Sequence, residues 1–330
     1  MGRVGRRQFL IATGVLFAAP LAAEAQQAGK VPRIGYLSSH SPEVFNFDVF
    51  RQALRELGWV EGRNLAIDFR SADGKFDRLP RLADELVGLK VNVIVAAATV
   101  PALAAKRATQ TIPIVFTHVS DPVGSGLVPS LARPSGNVTG LTHLNVGLIP
   151  KRLEFLKASV PNVTRVVALW HPGGLGERTE KEMLKETEDA AQALGVQLQF
   201  LAARGPHDIE GVFAAVSRDR LGPLIVMPAP IFRNEYQHVV DLAAKYRLPA
   251  VYFDREFADA GGLMAYGADM ADVVRGAARY VDRILKGAKP DELPVQRATR
   301  FELVVNLKTA KALGITIPQS VLLRADRVIE

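Results

Sequence analysis

The stretch Gly261–Pro290, GGLMAYGADMADVVRGAARYVDRILKGAKP, joins a glycine pair, a short apolar run and a Tyr-Gly turn to a long amphipathic helix. Apolar and small side chains recur in it at helical spacing, which places them on one face. These residues are Val273, Ala277, Tyr280, Val281, Ile284 and Leu285. Gly287 ends the helix and Pro290 prevents its resumption. The segment alone could be one more helix of an α/β protein. Its position in the chain, after two series of strands and helices, indicates that it leads the chain back to the first series.

Two series of alternating strands and helices precede this stretch. The strands predicted for the first series lie at 34–39, 65–69, 91–98 and 112–117, and those for the second at 163–170, 196–202, 224–227 and 249–253. Residues 91–98 are apolar except for Asn92, which is typical of a parallel sheet covered on both faces. Alternation of this kind predicts an α/β fold with two Rossmann-like, doubly wound lobes built on parallel sheets.

The lobe boundaries follow from the order of these segments. A turn-rich segment at 124–145 separates the two series. We expect lobe 1 to comprise 29–145 and about 265–292, and lobe 2 to comprise 146–264 and about 293–330. The amphipathic helix then returns the chain to lobe 1, and the strand predicted at 301–306 belongs to lobe 2. A chain that crosses several times between two lobes makes a hinge beside a cleft.

Residues 1–28 have the features of an export signal. Three arginines form a basic start, and the apolar run at 11–23 is interrupted by Gly14 and Pro20. This run is too short and too interrupted to span a bilayer. We therefore expect a mature protein that does not span the membrane and that acts outside the cytoplasm, in the periplasm.

The end of this segment predicts where it is removed. Ala23-Glu-Ala25 has the small-x-small pattern of a cleavage site, so we expect cleavage after Ala25 and a mature chain beginning at Gln26. Arg6-Arg7-Gln8-Phe9-Leu10 also resembles the twin-arginine export motif. An ordinary Sec signal that carries two arginines is the alternative, and the sequence does not separate the two routes.

Composition excludes several classes of protein. The chain has no cysteine, which excludes disulfides, zinc-thiolate sites, iron–sulfur clusters, thiol nucleophiles and a lipoprotein anchor. Residues 1–28 account for +2 of the formal charge of +7, which leaves +5 for the mature part. The basic residues are scattered and are not interleaved with aromatic residues, so we expect no nucleic-acid partner.

Enzymatic motifs are missing as well. Gly124-Ser-Gly126 is followed by Pro129 where a dinucleotide-binding motif needs its third glycine. The chain has neither a P-loop nor a G-x-S-x-G elbow. His118 and Asp121 could begin a metal site, but a third ligand is not evident near them. We therefore expect no enzymatic activity, no cofactor and no metal.

Candidate ligand-binding residues come from the rule that ligands bind beyond the carboxyl ends of parallel strands. The candidates are Ser38, Ser39, Thr99, Ser120, Asp121, Trp170, Asp254 and Arg255. They converge only if the two lobes face each other. The serine and threonine hydroxyls at helix starts suit a carboxylate. Asp121 or Asp254 suits an amine, and Trp170 suits a flat or apolar group.

Each candidate also has a structural explanation. Ser39 can simply cap a helix, and Asp121 before Pro122 is a common turn residue. Trp170 can belong to the core. Asp254 can pair only with Arg255 or with a neighbouring backbone. The sequence leaves these alternatives open.

Several phrases resemble one known family. They are Arg33-Ile-Gly-Tyr-Leu37, Phe50-Arg-Gln-Ala-Leu-Arg-Glu-Leu-Gly58, Ile112-Pro-Ile-Val-Phe116, Ser120-Asp-Pro-Val123, Gly261-Gly-Leu-Met-Ala-Tyr-Gly267, Tyr280-Val-Asp-Arg-Ile-Leu-Lys-Gly287 and Phe301-Glu-Leu-Val-Val-Asn-Leu-Lys-Thr-Ala-Lys-Ala-Leu-Gly314. From about Pro32 to Glu330 the chain resembles ABC-transporter substrate-binding proteins related to tryptophan/tyrosine-uptake binding proteins. No single phrase is a catalytic motif.

The resemblance implies a type I periplasmic binding fold, with two Rossmann-like lobes, three hinge crossings and a ligand in the cleft. It implies a monomeric periplasmic substrate-binding protein of an ABC importer, which closes about its hinge on a small solute such as an amino acid or a related carboxylate. The partner would be an inner-membrane permease with its cytoplasmic ATPase. Asp254-Arg255-Glu-Phe257 resembles the family's last cleft segment, where an arginine is usual.

Other functions are compatible with the same pattern. The first alternative is an extracytoplasmic ligand-sensing module for a membrane signalling protein. A secreted enzyme on an α/β scaffold is the second, although the sequence shows no nucleophile–base pair. A LacI-like repressor shares the lobe fold, but a helix-turn-helix domain is missing and the export signal stands in its place.

Overall fold

Strands of two separate sheets form the framework of the chain. A computed structural model describes residues 31–42, 46–143, 146–173, 175 and 177–330. The export signal expected at 1–28, its cleavage after Ala25 and the twin-arginine motif lie outside the described residues. Residues from Pro32 to Glu330 cluster as one compact unit.

The first sheet has six parallel strands in the order β11-β5-β4-β3-β1-β2. The strands are β1 (Arg33–Ser38), β2 (Ala66–Ser71), β3 (Val93–Ala97), β4 (Ile114–Val119), β5 (Val138–Thr142) and β11 (Gln296–Arg297). The helices between them are α1 (Phe47–Glu56), α2 (Leu79–Gly88) and α3 (Thr99–Ala108). Because α3 begins directly after β3, it starts at the carboxyl edge of the sheet.

The second sheet has seven strands in the order β13-β12-β10-β9-β8-β6-β7. The strands are β6 (Arg165–Trp170), β7 (Gln197–Ala202), β8 (Leu224–Val226), β9 (Ala250–Tyr252), β10 (Met264–Ala268), β12 (Phe301–Asn306) and β13 (Arg327–Ile329). Its helices are α4 (Ile149–Ser159), α5 (Glu177–Ala193), α6 (Pro206–Arg218), α7 (Pro230–Asn234), α8 (Tyr236–Lys245), α9 (Arg255–Asp259), α11 (Leu307–Leu313) and α12 (Gln319–Leu322). All pairings are parallel except that of β10 with β12. The prediction of two doubly wound parallel lobes is therefore confirmed.

Helix α10 (Met270–Leu285) follows β10 directly but packs on the first sheet. Its residues Val273, Ala277 and Val281 are buried in one core with Tyr36 and Val95 of β1 and β3. Asp269 caps the helix, since its side chain accepts a hydrogen bond from the backbone N–H of Asp272. The chain thus leaves one sheet and enters the core of the other between Ala268 and Met270.

Two details of the lobe boundaries differ from the prediction. β10 hydrogen-bonds to β9 and β12, so 265–268 belong to the second sheet and not to lobe 1. β11 pairs with β5, so 296–297 belong to the first sheet and not to lobe 2. Both strands lie where the chain crosses between the sheets. The apolar pattern of the sequence does not mark the residue at which the chain leaves one sheet for the other.

Two elements were also missed. β5 lies in the segment predicted as turns, and it contains a glycine because β4 passes so close that a Cβ on Gly140 would lie 2.2 Å from the carbonyl oxygen of Phe116. The helix predicted at 234–246 corresponds to α8, and the short helix α7 that precedes it was not predicted. The chain crosses between the sheets after β5, after β10 and after β11.

Gly267 provides a test of this close packing at the crossing. A Cβ at this position would lie 2.1 Å from the carbonyl oxygen of Phe253. Backbone cannot move aside as a flexible side chain can, so we expect Gly267→Ala to lower the free energy of unfolding by at least about 2 kcal/mol in urea titrations. Gly211→Ala in α6 is the matched control, because nothing lies within 4 Å of an added Cβ there. The control should gain about 0.5–1 kcal/mol, and equal stability of the two variants would contradict the packing described.

Candidate functional site

One cavity lies where the carboxyl ends of the two sheets meet. Its empty volume is about 670 Å³ with the open mouth included, a size typical of small-molecule sites. The first sheet and its loops contribute Ser39, Phe76, Ala98, Thr99, Val100, Pro101, His118, Ser120 and His143, and the second contributes Pro228, Ala229, Pro230, Arg233, Asn234 and Phe253. Both lobes therefore form the walls of a single site.

Hydroxyl groups line the part of the cavity that belongs to the first sheet. Thr99 is the first residue of α3 and is half-buried. The Ser39 hydroxyl lies 3.0 Å from Nδ1 of His40, and the Ser120 hydroxyl lies 3.1 Å from Nε2 of His143. These groups can donate to an acceptor-rich ligand, and the N-terminus of α3 adds backbone N–H groups that the helix itself does not use.

Two buried histidines, His118 and His143, also line the cavity. Burial lowers the pKa of His143 to about 3, and the nearby guanidinium groups of Arg233 and Arg152 act in the same direction. Burial likewise holds the pKa of His118 well below its usual range, with Arg233 and His143 contributing. Both imidazoles are therefore neutral at physiological pH. Nδ1 of His143 has no hydrogen-bond partner within the described part of the chain.

A buried ion cluster supports the opposite wall. Nη1 of Arg233, on α7, donates to the Asp254 carboxylate. Nη2 of Arg233 donates to both carboxylate oxygens of Glu256, and these two distances are 3.1 Å. Burial opposes its charge, but Asp254 and Glu256 outweigh this and raise the pKa of Arg233. Burial raises the pKa of Glu256 to about 7, although Arg233 opposes the shift.

Arg152 of α4 is fully buried in the same region. Its Nε donates to the carbonyl oxygen of Tyr266 in β10 at 2.7 Å. Burial lowers the pKa of Arg152 to about 9, and Asp254 opposes that shift. The contact ties a helix of the second lobe to the strand from which the chain crosses over.

The backbone of the cavity wall is strained at two positions. Ala98 has φ 88° and His118 has φ 56°, both in the left-handed region that residues with a Cβ rarely adopt. Such outliers persist where the surrounding structure enforces them, and they cluster at functional sites. Ala98 directly follows β3 and His118 is the last residue but one of β4, and both line the cavity.

The structure brings together three of the eight predicted site residues at this cavity. Ser39, Thr99 and Ser120 line it. Ser38 is fully buried, and its hydroxyl donates to the carbonyl oxygen of His40 at 2.7 Å. Trp170 packs against the core of the second lobe. The contacts of Trp170 therefore fit the alternative that it belongs to the core.

The three charged candidates are engaged elsewhere. Asp121 accepts a hydrogen bond from the backbone N–H of Gly124 at 2.7 Å and another from the Thr179 hydroxyl. Asp254 pairs with Arg233 rather than with Arg255. Arg255 lies near Asp259 and Glu302, at 3.3 and 3.5 Å, and does not line the cavity.

Several lining residues were not singled out from the sequence as site residues. They include His143, Arg233, Asn234 and Phe253. His143 follows the missed strand β5, and Arg233 lies on α7, which the sequence did not predict. His118 was considered only for a metal site. In the described residues no cluster of three His, Asp or Glu side chains is placed to hold a metal ion.

Two doubly wound lobes with a cavity between their carboxyl edges define the type I periplasmic binding fold. A family model described as ABC transporter substrate binding protein matches residues 38–329, and the chain belongs to this family. No helix in the described ranges is long and apolar enough to cross a membrane.

Individual relatives agree with this assignment. A tyrosine-binding protein from Clostridioides difficile is 28% identical over 270 residues, which are 81% of this chain and 75% of that protein. An ABC domain from Streptococcus pneumonia, crystallised with L-Trp, is 27% identical and superposes with a TM-score of 0.81 over 91% of this chain and 100% of that chain. A conserved domain protein from Vibrio cholerae is 30% identical, with a TM-score of 0.79 over 91% of this chain and 100% of that chain.

Glu256 gives the site a testable effect on stability. Its pKa of about 7 in the folded protein exceeds its ordinary value of 4.5, so between these values the folded protein binds more protons than the unfolded chain. Wild-type stability therefore falls as the pH rises through this window. We expect Glu256→Gln to remove this contribution, so that the unfolding free energy of the variant minus that of the wild type increases from pH 4.5 to pH 7.

Glu210→Gln is the matched control for this experiment. The hydrogen bond from Lys245 lowers the pKa of Glu210. The unfolding free energy of this variant minus that of the wild type should therefore decrease as the pH rises, and the change should occur below pH 4.5. Urea titrations at several pH values measure both variants. A constant difference for Glu256→Gln across the window would contradict the burial described.

Proposed function

We propose that the protein is the periplasmic substrate-binding component of an ABC importer, which holds a small solute between its lobes and closes on it. The observation that carries the proposal is the shared cavity, whose walls come from the carboxyl edges of both sheets. A ligand that contacts both walls is held best when the lobes approach each other, so its binding energy favours the closed form.

A direct contact between the lobes supports closure. The Thr179 hydroxyl in the first turn of α5 donates to the Asp121 carboxylate, which follows β4 of the other lobe. Opening of the cleft would separate these two groups. We therefore assign Asp121 a role in holding the closed form, in place of the amine contact expected from the sequence.

The polar wall supports a carboxylate-bearing solute. Ser39, Thr99 and Ser120 present hydroxyls to the cavity, and α3 directs its N-terminus toward the same region. Hydroxyls and free backbone N–H groups at a helix start favour an anion. Because one relative is a tyrosine-binding protein and another was crystallised with L-Trp, the proposed ligand class is amino acids and related carboxylates.

The cellular role follows from the family and from the export signal expected at 1–28. The mature protein would work in the periplasm as a monomer and deliver its solute to an inner-membrane permease with a cytoplasmic ATPase. The sensing alternative would use the same cleft and closure, and no contact in the described structure favours it.

The first test is a thermal-shift screen of the purified protein after unfolding and refolding to remove bound ligand. Amino acids, aromatic acids, purines and sugars form the panel. A ligand at 100 times its dissociation constant should stabilise the protein by about 2.7 kcal/mol. A folded protein that no class stabilises would contradict the proposed receptor function.

The role of Thr99 is tested by Thr99→Val, which removes the hydroxyl and keeps the side-chain shape. A hydrogen bond to a carboxylate contributes roughly 1.5–3 kcal/mol, so titration calorimetry should show an affinity loss of about tenfold to a hundredfold. Thr164→Val, at an exposed threonine before β6, is the control and should bind as the wild type does. Equal affinity of all three proteins would remove Thr99 from the site.

A further inference from the structure

We infer that the hydrogen bond between Asp121 and Thr179 sets how tightly and how long the protein holds its ligand, although neither residue touches the cavity. The two residues are positioning residues for lobe closure and not ligand contacts. Both are described, and neither is among the residues that line the cavity. This inference rests on the proposed receptor function and adds to it an element outside the cavity that tunes affinity.

The Asp121 carboxylate divides its two oxygens between the lobes. Oδ1 accepts a hydrogen bond from the backbone N–H of Gly124, at 2.7 Å, within lobe 1. Oδ2 accepts one from the hydroxyl of Thr179, which lies in the first turn of α5 in lobe 2. The hydrogen bond to Glu182 raises the pKa of Arg178 in that same turn, and the Asp121 charge acts in the same direction. The carboxylate therefore faces the start of α5 from the opposite lobe.

The loop that carries Asp121 is fixed to lobe 1 at its far end. Lys106 of α3 donates from Nζ to the carbonyl oxygens of Gly126 and Leu127, at 2.6 and 3.0 Å. Leu127 and Val128 are both buried in a core of the first lobe. Since the loop is held at both ends, the Asp121 carboxylate moves together with lobe 1 when the cleft opens or closes.

The bridge adjoins the cavity wall without forming part of it. Asp121 directly follows Ser120, which lines the cavity. The Thr142 hydroxyl donates to the carbonyl oxygens of Val119 and Ser120, at 2.7 and 2.9 Å, and thereby ties this segment to β5. The hydrogen bond between Asp121 and Thr179 thus forms when the lobes approach each other, whichever ligand fills the cavity.

A contact of this kind acts on affinity through the equilibrium between open and closed protein. The apparent dissociation constant equals the intrinsic constant divided by the fraction of binding-competent protein. Loss of the bridge lowers the closed fraction, and it therefore weakens the binding of different ligands by one common factor. A residue that contacts the ligand directly, as Thr99 is proposed to do, has no reason to affect two different ligands equally.

Thr179→Val tests the inference, because it removes the hydroxyl and keeps the shape of the side chain. Thr179→Ser retains a hydroxyl, and Thr164→Val is the control at an exposed threonine. Titration calorimetry and stopped-flow fluorescence on the refolded, ligand-free proteins measure affinities and rates for L-tyrosine and L-tryptophan. We expect Thr179→Val to lose at least about fivefold in affinity for both compounds by the same factor, through faster dissociation. The other two variants should bind as the wild type does.

Small-angle X-ray scattering supplies a readout that needs no ligand. If the bridge already closes most of the ligand-free wild type, the loss of affinity becomes small, because the closed fraction then falls little. In that case ligand-free Thr179→Val should have a larger radius of gyration than ligand-free wild type, and Thr179→Ser should not. The two measurements together therefore detect the bridge in either regime.

Gly124→Ala reaches the same contact from the other lobe. A Cβ at this position would lie 2.0 Å from Oδ2 of Asp121, the oxygen that accepts the Thr179 hydroxyl. The substitution displaces that oxygen while both bridging residues remain. The double variant with Thr179→Val should lose no more affinity than the weaker-binding single variant, because both changes break one contact. Gly211→Ala is the matched control, and additive losses in the double variant would contradict a shared contact.

The outcomes separate the inference from the receptor function. Unequal losses for the two amino acids in Thr179→Val would indicate a direct ligand contact and overturn the inference. Wild-type affinity together with a wild-type radius of gyration in this variant would overturn it as well. Both results leave the receptor function in place. If neither amino acid binds the wild type, the panel compound that stabilises it replaces them, and failure of the whole panel overturns the receptor function and this inference with it.

Discussion

The burial of one face of α10 on the first sheet is the constraint on which the two-lobed structure depends. Fully burying a valine or leucine side chain contributes about 1.5–3 kcal/mol, and α10 buries Val273, Val274, Val281 and Ile284 in the core that contains Tyr36. The strand immediately before it, β10, hydrogen-bonds within the other sheet. The chain must therefore cross between lobes at Asp269, and the two carboxyl edges are held within reach of each other.

The same crossing brings the site's charges together. β10 offers the Tyr266 carbonyl to Arg152, and Gly267 lets the backbone at Phe253 and Asp254 approach closely. Asp254 then pairs with Arg233 at the cavity wall. Buried charges are costly unless they are paired and hydrogen-bonded, so this cluster fixes the position of α7. The shape of the cavity thus depends on packing far from its polar lining.

Much of the fold could be predicted from local pattern. The eight strands predicted for the two series correspond to β1–β4 and to β6–β9, because continuous apolar runs between helices are a strong signal. β5 and β10 were not predicted as strands, since each is five residues long and contains a glycine that close backbone packing requires. The boundaries predicted near 265 and 293 differ from the strand pairings, because β10 was not predicted and β11 is only two residues long.

The site was only partly predictable. The strand-end rule selected Ser39, Thr99 and Ser120, which line the cavity, because the cavity lies at the carboxyl ends of the strands. It does not tell which way a side chain points, so it also selected Trp170, which packs against a core, and Arg255, which pairs with Asp259 and Glu302. Arg233 lies on α7 and His143 directly follows β5, two elements that the sequence did not predict.

The central claim is that a ligand closes two lobes about these crossings. The chain has no native cysteine, so Asp77→Cys and Gln237→Cys can carry one spin label each without background. Both positions are exposed; Asp77 follows the cavity-lining Phe76, and Gln237 lies three residues after the cavity-lining Asn234. Pulsed dipolar spectroscopy then measures the distance across the mouth. The account predicts a shorter and narrower distance distribution with saturating ligand than without it. Identical distributions in the two states, with binding verified by calorimetry on the labelled protein, would contradict closure.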